Sequence, residues 1–376
     1  MTSHLLLAPR REPVRSSLPE RRLRRYCPRY QSRVRACAMR HPHLADLAVS
    51  FPALLFALAV PRRQRDPELA IACVIAGRPL AVAAAAAGIP MWLRKLPPEA
   101  FVRPIDPLPD GELFRRQIGN HLPRSPKLMP RWLQLVAEMA ALAHEPAAVW
   151  IARELVRTPK AVKREHVHLL ALWIWFSGQP GCFARGLIER PWTPHMKLDA
   201  ALAAASDWRR QVTLHLNLGQ RPVSNMWLDP GRIGDYEFRP LADIRDLVEE
   251  GIAMRNCVRT YGSRIAHNRS RLWSVRSHGE RVATLEIADR FEDGLLHVAE
   301  LKGPGNAPAP RELWWAARRW LHLHDLPQVE TGRIKWCLAP LDLATWRALW
   351  RPYWLAKRRI PDWLPLAPSR DALGDL

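Results

Sequence analysis

The sequence lacks any close pair of cysteines, although it contains six of them. Zinc ribbons and thiol redox motifs need two cysteines within a few residues, and small secreted domains are rich in paired cysteines. The spacing therefore argues against these classes, predicts no metal site and favours a reducing compartment. No cofactor is expected either.

Apolar runs long enough to cross a membrane are also missing. A spanning helix needs about 20 apolar residues, but the run Leu47–Val60 contains Pro52, and the run Leu69–Leu93 is broken at Gly77 and Pro79. The first of these runs lies too far from the N-terminus for a secretory signal. Both are typical of core helices, and the sequence predicts a cytoplasmic protein.

Acidic residues are scarce relative to basic ones. The chain has 57 Lys and Arg against 36 Asp and Glu, which gives a net charge of +21. Such an excess favours polyanionic partners, either nucleic acid or an anionic membrane surface. Only eight of the cations are lysines, so a coding bias towards arginine is the alternative explanation.

Composition and periodicity predict four segments. Residues 1–45 are rich in arginine and have no periodic apolar face, which predicts a basic, disordered arm that either contacts phosphates or is simply solvated. Residues 46–235 show helical periodicity. Residues 236–330 are predicted to form an α+β domain. Residues 331–376 form a tail rich in Trp, Pro and Arg, whose aromatic side chains either stack on nucleobases or pack in the core.

The hydrophobic period changes within the third segment. A helix is predicted over residues 241–250, and a second helical segment follows it. Three strands are then predicted over residues 271–277, 281–288 and 295–301. The predicted fold class is therefore α+β, with a mainly helical N-terminal region and a small C-terminal domain in which helices pack on a three-stranded antiparallel sheet.

Residues 250–306 hold the most distinctive run of the chain. It contains Glu250-Gly251, Asn256-Cys257-Val258 with Tyr261, Thr284-Leu285-Glu286, and Glu300 followed by Gly303 and Asn306. This spacing resembles the PcfJ-like family, whose pattern is E-G, H-C-V-x-x-Y, T-L-E and Q-x-x-G-x-x-N. The resemblance implies an accessory protein of a conjugative plasmid, phage or other mobile element. The chain departs from the pattern at Asn256, where the family has histidine, and at Glu300, where it has glutamine.

Cys257 is the candidate nucleophile of this run. A thiolate is strongly nucleophilic, and nearby cations such as Arg255 favour the ionised form. Helical spacing, however, places Cys257 on one apolar stripe with Tyr261 and Ile265, which predicts a buried structural cysteine. Both interpretations stay open, and Asn256 cannot replace a histidine as a proton acceptor.

Two glutamates are candidates for acid and base chemistry. Thr284 and Glu286 share one face of a predicted strand, and Glu300 lies on the next strand. If the register brings the two glutamates together, they can exchange protons with a substrate or bind a hard cation. The alternative is a solvated face on which Arg276 supplies the counter-charge. A glycine-rich turn at residues 303–306 is predicted to follow.

Seven arginines lie between residues 255 and 281, against the single acidic residue Glu280. Such a cluster is typical of a surface that binds the nucleic-acid backbone with little base specificity. The predicted binding residues are Arg255, Arg259, Arg264, Arg269, Arg271, Arg276 and Asn306. The predicted function is therefore nucleic-acid association, and the alternative is an enzyme of unknown reaction that uses Cys257 or the polar strand face.

Overall fold

The computed structural model describes residues 18–62, 67–159, 162–219, 222–289, 296–324 and 342–359. The chain divides into two compact units, residues 1–172 and 173–376. Within the described ranges, no helix is both long and apolar enough to cross a bilayer.

The first unit is helical, as predicted for the N-terminal region. Its helices are α1 (Leu18–Leu23), α2 (Pro28–Ala38), α3 (Pro42–Ser50), α4 (Pro52–Ala59), α5 (Glu68–Ile75), α6 (Leu80–Ala86), α7 (Glu112–Ile118), α8 (Met129–Leu142) and α9 (Glu145–Arg157), while α10 (Arg164–Ser177) continues into the second unit. Proline stands in the first turn of five of these helices, α2, α3, α4, α8 and α9. The first-turn amides have no partner within the helix, so proline is tolerated there and marks each start.

Part of the predicted disordered arm is folded, because α1 and α2 lie within residues 1–45. Tyr26 is 2% exposed. Its ring stacks on Phe56 of α4, and its hydroxyl donates to the Pro52 carbonyl at 2.8 Å. The arginine-rich composition hides this apolar stripe, in which Tyr26, Tyr30 and Val34 follow one another at intervals of four. Residues 1–17 of the predicted arm lie outside the described residues.

A half-buried pair of side chains, His168 and Glu138, joins α8 to α10. His168 Nε2 lies 2.9 Å from Glu138 Oε2, and Arg164 and Gln134 also donate to this carboxylate. Burial raises the pKa of Glu138, but the hydrogen bonds from His168, Gln134 and Arg164 outweigh it and hold the pKa at about 2. Glu138 is therefore ionised throughout the neutral range.

The second unit combines helices with one antiparallel sheet. Its further helices are α11 (Phe183–Gly186), α12 (Leu198–Leu218), α13 (Ile244–Ala253), α14 (Gly262–Ala266), α15 (Arg311–His322) and α16 (Leu343–Lys357). Its strands are β1 (Gly231–Ile233), β2 (Tyr236–Pro240), β3 (Ser270–Ser277), β4 (Glu280–Asp289) and β5 (Leu296–Lys302), which neighbour one another in chain order. The α+β class is confirmed.

The prediction of three strands is wrong, because β1 and β2 extend the sheet to five. Ile233 pairs with Tyr236 across a two-residue turn in which Gly234 has φ 55°. A turn of this kind needs a residue with positive φ, which glycine provides. The sequence there looks like a loop because the two strands are too short to show an alternating pattern.

The sheet has one apolar face, which packs on α15. Trp273, Leu285 and Leu301 belong to this buried cluster. Trp320 of α15 anchors the contact, since its ring stacks on Phe238 with the centroids 4.5 Å apart.

The opposite, polar face is covered by α13 and α14. Leu272 of β3 lies in a core with Leu247, Ile265 and Leu214. Because α12 contributes Leu214 to this core, the boundary expected near residue 235 falls inside the second unit.

The predicted Trp, Pro and Arg tail contains α16. Trp346 and Trp350 are fully buried in it, as is Tyr353. These tryptophans are packing residues and cannot stack on nucleobases. Trp336 and Trp363 lie outside the described residues.

Candidate functional site on the polar sheet face

The α13 helix ends before Cys257, so the two helical segments of the motif run are separate. The Asn256 amide donates to the Gly251 carbonyl across Arg255, which has φ 50°. This is a Schellman motif, which ends a helix. Cys257 follows it and is exposed. The prediction that Cys257 lies on the buried stripe of a continuous helix is therefore wrong.

A chain of hydrogen bonds runs from buried Glu250 to the loop that carries the thiol. Glu250 is 0% exposed, and its two oxygens accept from Thr284 Oγ1 at 2.7 Å and Arg281 Nε at 3.0 Å. Thr284 Oγ1 in turn accepts from Asn256 Nδ2 at 2.8 Å. The side-chain oxygen Oδ1 of Asn256 accepts from the Val258 amide at 3.2 Å. Each polar group of the chain is thus satisfied by the next.

Glu286 and Glu300 lie directly opposite each other on β4 and β5. Glu286 is 3% exposed, whereas Glu300 is exposed. The Tyr261 hydroxyl lies between them, 3.2 Å from one carboxylate and 3.3 Å from the other. A hydroxyl has a single proton and donates to only one of them at a time. Burial, with the charges of both glutamates and of Cys257, raises the pKa of Tyr261, so it stays protonated at neutral pH.

The second oxygen of Glu286 is fixed from two other elements. It accepts from Ser270 Oγ at 2.7 Å and pairs with Arg264 at 2.8 Å. The expectation of a solvated face with Arg276 as counter-charge is therefore wrong. Arg276 instead pairs in register with Glu237 of β2, and α14 brings Arg264 to the glutamate.

Three of the predicted binding arginines are used inside the fold. Arg264 pairs with Glu286, and Arg259 pairs with Glu189 at 3.1 Å. Arg271 is 4% exposed and donates to backbone carbonyls, among them that of Ser270 at 2.9 Å, while burial lowers its pKa to about 10. Arg259 and Arg271 are thereby withdrawn from solvent, whereas Arg264 stays exposed beside its carboxylate partner.

The other predicted binding arginines are partly or fully accessible. Arg255 is exposed, and Arg269 and Arg276 are half-buried. Arg255 is set apart by its left-handed backbone, which projects it from the end of α13. The predicted cluster therefore does not act as one surface of seven cations.

The predicted glycine-rich turn lies against the end of α13. The Gly305 amide donates to the Met254 carbonyl at 2.7 Å, and the Gly303 amide to the Ala307 carbonyl at 2.8 Å. Gly305 and Asn306 both have positive φ, which glycine and asparagine tolerate better than other residues. Asn306 is exposed. The turn thus holds β5, with Glu300, beside the loop that carries Cys257.

The sequence interpretation missed Glu250 and Ser270 as members of this site, and it assigned Arg264 to phosphate binding instead of to Glu286. Glu250 was visible as part of the E-G motif, but its role depends on Thr284, which lies 34 residues later. Ser270 stands two residues before Leu272, and this alternation along β3 was the available signal for its face. No sequence pattern indicated that Arg264 pairs with Glu286, because Glu286 lies on a different element, β4.

A cavity of about 600 Å³ lies beside α12 and α13, apart from the carboxylates of the sheet. His215, Val248 and Ile252 are among the residues that line it. Burial lowers the pKa of His215, which is therefore neutral at neutral pH. The volume suits a small ligand.

The described residues contain no cluster of three or more His, Cys, Asp or Glu side chains placed to hold a metal ion. No family model, curated protein or solved structure matches the chain.

Proposed function

We propose that the chain is a nucleic-acid-associated accessory protein, as the PcfJ-like spacing and that family's association with mobile elements suggest. One observation supports this most strongly: α15, α16 and the two residues that follow α16 carry exposed arginines without a carboxylate partner among the described residues. They are Arg311, Arg318, Arg319, Arg351, Arg358 and Arg359.

Acidic residues are almost absent from the same helices. α16 has none, and α15 has only Glu312. Asp342, which precedes α16, is used as its N-cap and accepts from the Thr345 amide. A coding bias towards arginine accounts for many cations but not for this lack of acids.

Exposed guanidinium groups of this kind bind the phosphate backbone. Each phosphate that is neutralised releases condensed counterions, which favours association at low salt. Arginine also offers a planar pair of donors that matches phosphate oxygens. Binding through helix exteriors of this kind reads no base edges, so weak sequence specificity is expected.

The test compares two double variants of equal charge. Arg351→Gln with Arg359→Gln removes two cations without a described partner. Measured by fluorescence anisotropy with labelled DNA and RNA, it should reduce the slope of log K against log salt by about 1 to 2.

The matched control is Arg116→Gln with Arg245→Gln, because these exposed arginines are already paired with Glu112 and Glu249. It removes the same formal charge and should change the slope less. Equal effects of the two double variants would contradict the proposal.

The polar sheet face favours a second function, acid and base catalysis. Glu286 is held by Ser270 and Arg264, and it shares the Tyr261 proton with its exposed neighbour Glu300. In this scheme Glu300 is the general base, and Arg264 and Glu286 are positioning residues. The exposed thiol of Cys257 is the alternative nucleophile.

The catalytic proposal is tested by product analysis. End-labelled DNA and RNA are incubated with the wild type, Glu300→Gln, Cys257→Ser and the exposed control Glu280→Gln. The scheme requires products that form with the wild type and the control and are lost with Glu300→Gln or Cys257→Ser. Products that persist with both of these variants would exclude these groups as catalysts.

A further inference from the structure

The outer side of α15 carries tryptophan that the fold does not bury. Trp320 faces inward and is 1% exposed, whereas Trp315 is 59% exposed and Trp314 is half-buried. Tryptophan is on average highly buried. The inner side of α15 is already packed, so the indole of Trp315 is open to solvent and available for contact.

Trp315 on the outer side and Trp314, which packs partly against the core, each have an arginine one turn later. The Arg318 guanidinium lies 5.8 Å from the ring centroid of Trp314, and that of Arg319 lies 5.1 Å from the centroid of Trp315. These are cation–π distances. Because most of Trp315 remains exposed, the arginine leaves indole surface open on which a second planar group can stack.

We propose that α15 binds single-stranded nucleic acid, with a base stacked on Trp315 and phosphates paired with Arg318 and Arg319. This deepens, and rests on, the nucleic-acid association proposed above. Aromatic side chains beside cations form the usual platform for single strands, and the stacking tolerates any base.

Charge and geometry together select this partner. Three arginines against Glu312 on α15 complement a polyanion. A duplex offers phosphates but no open base face, because its bases are stacked on each other. An acidic peptide would satisfy the arginines but would leave the indole without a planar partner.

The experiment measures anisotropy with an oligothymidylate of about 16 nucleotides, the upper end of common site sizes, and with a duplex of the same length. Trp315→Ala should weaken single-strand binding about 5- to 100-fold and leave duplex binding unchanged. Trp315→Phe should restore most of the affinity, since it keeps an aromatic face. Leu355→Ala, on α16 and 54% exposed, is the control for loss of exposed apolar surface.

The outcomes separate the two proposals. If the wild type binds neither oligonucleotide at low salt, nucleic-acid association itself fails. If the wild type binds single strands and Trp315→Ala binds them equally well, stacking on α15 is overturned while association stands. Heparin is a polyanion without bases, so an equal loss of heparin binding in Trp315→Ala would also overturn stacking and indicate an acidic partner.

Discussion

Asn256 holds the Cys257 loop by hydrogen bonds but, unlike a histidine, cannot accept a proton. Its amide donates to Thr284 and accepts from Val258, so both halves of the side chain are used. A histidine, which the PcfJ-like pattern has at this position, also offers one donor and one acceptor but titrates near neutral pH. Asparagine keeps the link between β4 and the loop and removes the possibility of proton transfer.

Loss of the hydroxyl at Thr284 should destabilise the protein. Thr284→Val removes the hydrogen-bond partner of Glu250 Oε1 and of Asn256 Nδ2, and an unsatisfied buried group costs about 1 to 3 kcal/mol. Urea unfolding measures this difference. Thr260→Val, at an exposed site, should change stability by less than about 0.5 kcal/mol. Equal stability of the two variants would show that the buried chain of hydrogen bonds contributes little.

Cys257 should react quickly with an alkylating reagent in the native protein, because its thiol is exposed. Cys37 provides the internal comparison, since it is buried and burial raises its pKa. Mass spectrometry after a short exposure to iodoacetamide should find Cys257 modified and Cys37 intact. Protection of both cysteines would contradict the claim that the loop exposes the Cys257 thiol.

At the scale of elements, the sequence predicted what local patterns encode. The alternating residues of β3 and β4 placed Thr284 and Glu286 on one face, and the structure has them there. The break after α13 was not predicted, because Arg255 adopts a positive φ that is usually marked by glycine. The partners of Glu286 could not be predicted, since Ser270 and Arg264 reach it from β3 and α14.

The contact between Glu138 of α8 and His168 of α10 should make the stability of the protein depend on pH. The folded pKa of Glu138, about 2, lies below the ordinary value of about 4.3. A depressed carboxyl pKa contributes stability above the unfolded pKa, and this stability is lost as pH falls towards the folded pKa. The melting temperatures of the wild type and Glu138→Gln should therefore differ most near pH 7, approach each other as pH falls below about 4, and converge only near pH 1.

Exposed Glu165 serves as the control for this pH dependence, because it lies in the same helix as His168 and pairs with Lys163 in solvent. Glu165→Gln should show little difference from the wild type at either pH. If the difference in melting temperature between the wild type and Glu138→Gln were the same at every pH, the pKa of Glu138 would not be lowered by folding, and the account of this contact would be wrong.

At the scale of the whole molecule, the net charge of +21 was evident from the sequence, but its distribution was not. Arg259 pairs with Glu189, 70 residues earlier, and no local pattern reveals such a partner. The arginines predicted as one cluster are thus divided between ion pairs and surface. The exposed arginines of α15 and α16 that have no carboxylate partner among the described residues lie outside that cluster.

The salt dependence of nucleic-acid binding by the full chain tests the central claim most directly. The account predicts that log K falls linearly with log salt with a slope of about −3 or steeper, as expected when several phosphates are neutralised. Trp315→Ala should lower the affinity for single strands without altering this slope, since stacking releases no counterions. A slope near zero, or no binding at low salt, would contradict the account.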